Sequence, residues 1–90
     1  MKFQVGEVVI TPAASAALEA NALSIEDLLA RHQVGDWGDV SQQLRTVNDR
    51  GLVEQFNLQS TYVLPTGERL VVVTNRDRTL TMVHLDSRAG

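Results

Sequence analysis

The sequence predicts an α+β domain over residues 1–90. Two or three N-terminal helices pack on one face of a C-terminal three-stranded antiparallel meander, and the N-terminal segment is able to add a fourth strand. Three observations predict this. Apolar residues between positions 12 and 34 recur at helical spacing. Residues 57–85 are rich in Val, Leu and Thr with two-residue alternation. The strand-like runs are separated by short Pro-Thr-Gly and Asn-Arg-Asp-Arg stretches, which favour neighbouring antiparallel strands. Ninety residues suffice for one compact domain.

FQVGEVVIT (3–11) suits a short strand or an extended arm. Thr11-Pro12 is a helix start, because Thr can cap and Pro is tolerated at the first helical position. Residues 12–20 should be helical, with Ala14, Ala17 and Leu18 inward and Asn21 ending the helix in the left-handed conformation. Ser24, with Asp27 three residues on, makes a weak capping box for a second helix. Its apolar stripe, Ile25, Leu28 and Leu29, ends on His32, and Gly35 stops it. A third helix is expected from about Val40 to Arg50, with Val40, Leu44 and Val47 inward and Gly51 as terminator. NLQSTYVL (57–64) alternates, with Leu58, Ser60, Tyr62 and Leu64 on one face. RLVVVT (69–74) is apolar on both faces and belongs in the middle of the sheet. TLTMVHL (79–85) completes the meander, with His84 on the face opposite Thr81. Arg76, Asp77 and Arg78 read as a solvated turn.

The charged fraction is 21%, the hydrophobic fraction 43%, and the formal net charge −3. The sequence pI is about 5.2, which argues against broad phosphate-driven nucleic-acid binding. With no cysteine, disulfides, zinc knuckles and thiol catalysis are excluded. No apolar run reaches the ~20 residues of a membrane span, and MKFQVGEVVITP lacks the pattern of a signal peptide. The expectation is a cytoplasmic protein with no membrane association and no cofactor.

The densest chemistry lies in RHQVGDWGD (31–39). His32 could act as a general base or acid near neutral pH, or end its helix where the helix dipole favours a cation. Asp36 and Asp39 could orient an imidazole or cap the third helix. One His and two Asp make a weak metal pattern, so no metal site is expected. Trp37 could anchor a partner or close the core. One mixture is open: Trp37 closes the core while its polar neighbours face out. On this reading Arg31, His32, Asp36, Trp37 and Asp39 form a partner-binding corner.

Several segments carry a resemblance: FQVGEVVITPAA (3–14), LLARHQVGDWGDV (28–40), NDRGL (48–52), STYVL (60–64), TGERLVVVT (66–74) and DRTLT (77–81). Together they resemble a family of short uncharacterised bacterial proteins carried on plasmids, integrative elements and prophages. Val71 stands where that pattern has Trp, His84 interrupts an apolar strand, and Asn75-Arg76 replaces a more acidic pair. The family carries no activity to transfer. It implies a mobile-element setting in which regulators and anti-defence inhibitors are common, and hence a protein partner such as a host defence complex. The element order also resembles the barnase/EndoU/RelE-type nucleases, which cleave RNA without metal. That likeness implies His32 as general base, Arg31 or Arg78 at the phosphorane, and Tyr62, Ser60 or Thr81 orienting the phosphate. RNA is a partner only under this alternative.

Overall fold

The computed structural model describes residues 1–86. Seven elements follow in order: β1 (Glu7–Ile10), α1 (Pro12–Ala20), α2 (Ile25–Gln33), α3 (Gln42–Glu54), β2 (Leu58–Val63), β3 (Arg69–Thr74) and β4 (Leu80–Leu85). The sheet order is β1-β4-β3-β2. The meander β2-β3-β4 is antiparallel as expected, and the fourth strand is real. It lies parallel to β4, so the sheet is mixed. This parallel pairing needs a long crossover, and the three helices between β1 and β2 provide it.

Strand alternation sorts the sheet into two faces. Tyr62, Leu70 and Leu85 form one cross-strand row, and Val72, Val83 and Ile10 the next. They face α1 and α2 and join Ala14, Ala17, Leu18 and Leu28 in a single core. Leu70, Val72 and Val83 are fully buried, and each such side chain contributes roughly 1.5–3 kcal/mol by leaving water. The opposite face carries Val9, Met82 and Val73 in one row and Thr61, Val71 and His84 in another.

The starts of α1 and α2 follow the sequence signals, while α3 takes as its cap Ser41, which those signals did not assign. Thr11 accepts from the Ala14 amide, Ser24 from Glu26 and Ser41 from Leu44. Four details differ. α1 ends with Asn21 at φ −97°, and Ala22 takes the left-handed conformation instead (φ 53°). The Asn21 side chain is drawn away to Thr66, whose amide it accepts from at 3.1 Å. α3 begins at Gln42 and runs through Gly51 to Glu54, with Gln55 as its left-handed cap (φ 58°). Gly51 is an internal contact point, because a Cβ there would sit 3.0 Å from Leu58 Cδ2. Val47 is 46% exposed, since α3 turns Asn48 toward the sheet. Finally, Arg78 does not sit in a solvated turn. Its guanidinium donates to the carbonyl oxygens of Phe56 (2.7 Å) and Gly51 (2.9 Å), tying the β3–β4 turn to the end of α3.

The two sheet edges are treated differently. On β2, Asn48 Nδ2 donates to Gln59 O (2.8 Å) while Asn48 Oδ1 accepts from Gln59 N (3.1 Å). Thr61 N donates to Trp37 O and Asp39 N to Thr61 O. A side-chain amide and the 37–39 segment therefore act as a partial fifth strand. β1 has no such cover among the described residues.

Candidate functional site

The bend at 31–39 has an inside and an outside. His32, in the last turn of α2, is fully buried. Its Nδ1 is 2.5 Å from Ser60 Oγ and its Nε2 is 2.9 Å from Thr74 Oγ1. Thr74 Oγ1 lies 2.6 Å from Thr81 Oγ1, and Thr81 donates to Val5 O at 2.7 Å. A carbonyl only accepts, so the chain has one consistent direction. Thr81 gives its proton to Val5 O, Thr74 gives to Thr81, His32 Nε2–H gives to Thr74, and Ser60 gives to His32 Nδ1. The network thus fixes a proton on Nε2, and Nδ1 accepts from Ser60 while the ring is neutral. Burial, with the nearby Arg78 charge secondary, lowers its pKa from 6.5 to about 4.

Trp37 is 1% exposed. Its ring stacks near Phe3 (6.2 Å between centroids, 22° between planes) and meets His32 edge-on at 5.7 Å. Its Nε1 donates to Asp49 at 2.9 Å, so the buried indole keeps a partner. Phe3 belongs to an arm held by Lys2 N donating to Gln33 O (2.6 Å) and by Gln33 Nε2 donating to Phe3 O (3.0 Å). Phe3, His32 and Trp37 thus form one packed cluster beneath the bend.

Other groups of the bend turn outward. Arg31 Nε bonds Asp36 Oδ2 at 2.7 Å, and its guanidinium lies 4.5 Å from the centre of the Tyr62 ring. The Asp36 bond raises the pKa of Arg31, and the same bond lowers that of Asp36. The Tyr62 hydroxyl donates to Asp36 O at 2.7 Å, and burial pushes its pKa to about 12. Asp39 pairs with Arg69 at 2.7 Å, and Arg69 also donates to Asp39 O at 3.2 Å. Gly38 brings this outer chain against β2. It has φ +74°, and a Cβ there would collide with Thr61 O and the Tyr62 ring. The result is an open cleft of about 400 Å³ lined by Arg31, Asp36, Gly38, Asp39, Thr61, Tyr62 and Val63.

The structure therefore divides the expected site residues. Arg31, Asp36 and Asp39 meet at the cleft, and the buried Tyr62 forms its floor. His32 and Trp37 lie behind it in the core, so a direct partner contact by either is corrected: burial closes off both side chains. The nuclease set is likewise split. Arg31 reaches the cleft, but Tyr62 is only 3% exposed with its hydroxyl spent on Asp36 O, His32 and Thr81 (fully buried) are bound to each other through Thr74, and Ser60 is inside with them. A base with no exposed atom cannot take a proton from a substrate in this conformation. Neither Asp caps α3: Ser41 does so, while both carboxylates take arginine partners.

Sequence reasoning missed Arg69 and Asn48. Arg69 reaches the bend from 30 positions away and Asn48 acts on a strand edge, and neither has a local signature. Among the described residues, no group of three or more His, Asp or Glu side chains is placed to hold a metal ion. No helix among them is long and apolar enough to cross a membrane. Comparison with protein families, curated proteins and solved structures finds no match. The family resemblance and the barnase-type likeness therefore stand as expectations from the residues alone.

Proposed function

We propose that this chain is a binding module that docks a protein partner on the outward rim of the 31–39 bend. Arg31, Asp36 and Asp39 make the contact, and His32 and Trp37 act from behind by holding the rim rigid. The observation that carries this reading is the convergence of Arg31, Asp36 and Asp39 on one open cleft floored by the buried Tyr62, over a packed cluster. The Arg31–Asp36 pair is about half exposed on both sides (47% and 47%). An exposed ion pair contributes only about 0–1 kcal/mol to folding, so its groups can exchange partners at low cost. Val63, 52% exposed at the rim, adds apolar area. Backing from a rigid core lowers the ordering cost of binding. In the mobile-element setting implied by the resemblance, the partner is a regulator or a host defence complex.

The test is affinity capture from lysates of candidate host strains. The wild-type chain is compared with the double variant Arg31→Glu/Asp39→Lys and with Gln43→Lys on the exposed face of α3. A protein recovered by the wild type and Gln43→Lys, and lost with the double variant, supports the reading. Equal recovery by all three chains overturns it. RNA cleavage by the wild type that disappears in His32→Ala would overturn it in favour of the ribonuclease alternative.

A further inference from the structure

The second surface worth attention is the free edge of β1. Glu7 N donates to Thr79 O (2.9 Å) and Thr11 N to Val83 O (3.0 Å). In a parallel ladder alternate residues bond the same neighbour, so Glu7, Val9 and Thr11 face β4. Val8 and Ile10 then turn their N–H and C=O groups away from the sheet. Among the described residues nothing bonds those four groups. The strand itself is EVVI, with no Lys or Pro between 7 and 10, so only its shortness and Glu7 at its start blunt the edge. β2, at the other end of the sheet, has its outer groups at Gln59 and Thr61 fully matched.

We propose that the β1 edge is a self-association surface, and that its occupant is β1 of a second copy of this chain running antiparallel. The argument for that occupant is self-complementarity about a twofold axis at Val9. With Val8 opposite Ile10 of the second copy, each such pair exchanges both backbone bonds, so four bonds use all four free groups of each edge. Val9 then meets its own counterpart as the central pair, with no bonds between them and side chains close together. On the open face this joins two apolar rows, Val73–Met82–Val9 in each copy, into one continuous row across the axis. On the core face the partly exposed Val8 and Ile10 cover each other. Glu7 falls opposite Thr11, so the register sets no like charges against each other. Antiparallel pairing of a different chain would lack this symmetric match at Val9. A four-residue edge makes a small interface, so the dimer is concentration-dependent and weak beside obligate dimers.

The experiment measures mass by sedimentation over a range from about 1 μM to 1 mM, the window in which a small interface dissociates. The mass should rise twofold from the 9.9 kDa monomer. Val9→Lys sets two ammonium groups together at the axis and should hold the chain monomeric with its circular dichroism unchanged. Crosslinking gives an independent readout, because the chain has no cysteine and any disulfide in a single-Cys variant joins two copies. Val9→Cys should form a disulfide dimer at least tenfold faster than Val53→Cys, whose site is 84% exposed but lies on α3. A central pair without backbone bonds has a Cα separation of about 4.5 Å, within disulfide range. A chain that stays monomeric throughout, or a Val9→Cys rate no greater than that of Val53→Cys, overturns the proposal. So does a dimer that Val9→Lys leaves intact, because the contact then lies elsewhere.

Discussion

The inner and outer halves of the 31–39 bend are built from adjacent residues and obey opposite rules. Inside, His32 and Trp37 have fixed partners on every polar atom and almost no exposure. Outside, Arg31, Asp36 and Asp39 pair across solvent-exposed ion pairs. An inner group acts through desolvation, so altering it leaves a cavity or an orphaned hydroxyl. An outer group is already hydrated, so altering it has little effect on folding, and under the proposed function the change falls on partner binding. The lesson is that a chemically dense loop divides its labour by orientation.

The largest way to break the comparison is Trp37→Ala. It should cost roughly 3–5 kcal/mol as a core truncation, a large share of the 5–15 kcal/mol typical of a domain. Urea unfolding would read the loss as a lower midpoint. A loss below about 1 kcal/mol, the range of a surface change, would place Trp37 with the outer groups.

Acid should come next. The unfolded chain protonates His32 near pH 6.5, and the folded one only near pH 4. Between those values the unfolded state binds more protons. The stability held above pH 6.5 is therefore lost as the pH falls toward 4, by about 3 kcal/mol from this group. Unfolding curves from pH 7.5 to 4 should show that slope in the wild type and a shallower one in His32→Gln. Identical slopes would mean that His32 is solvated.

Gly38→Ala should have an intermediate effect, about 1–3 kcal/mol. The residue holds φ +74° and lies against Thr61 O and the Tyr62 ring. Because it sits on the boundary, it should also displace the rim. The nuclear magnetic resonance shifts of Tyr62 and Asp39 would follow that displacement, and unmoved shifts would show that rim and core are not coupled there.

The smallest effect on stability belongs to Asp39→Ala, at about 0–1 kcal/mol. Capture of the proposed partner should nonetheless fall sharply. A variant that unfolds the chain would erase the distinction between the two halves, and one that alters neither stability nor capture would remove Asp39 from the rim's function.

The starts of α1 and α2 and the strand alternation are legible locally, whereas the local signals for helix ends are not: Asn21 is not left-handed, α3 runs on through Gly51, and Val47 faces out. Thr11-Pro12, Ser24 and the alternation of 58–64 and 69–74 act within a few residues, and the elements fall close to where those signals put them. The buried-Trp reading also stood on a local basis, since a lone large aromatic in a small domain tends to close the core. The errors lie where a distant group takes over. Asp36 and Asp39 looked like caps for α3, but Ser41 caps it and arginines from α2 and β3 claim the carboxylates. Arg78 looked like a turn residue until the end of α3 supplied acceptors.

By itself, then, the sequence determined the α+β class, the starts of the first two helices, the meander and the presence of a polar bend. Those follow from periodicity and capping, which depend on neighbours along the chain. Only the tertiary structure decided that β1 runs parallel to β4, that His32 is sealed between Ser60 and Thr74, and that Arg31, Asp36, Asp39 and Tyr62 share a cleft. Those outcomes depend on which distant groups meet and which are cut off from water, and a buried imidazole and an exposed one are written with the same letter.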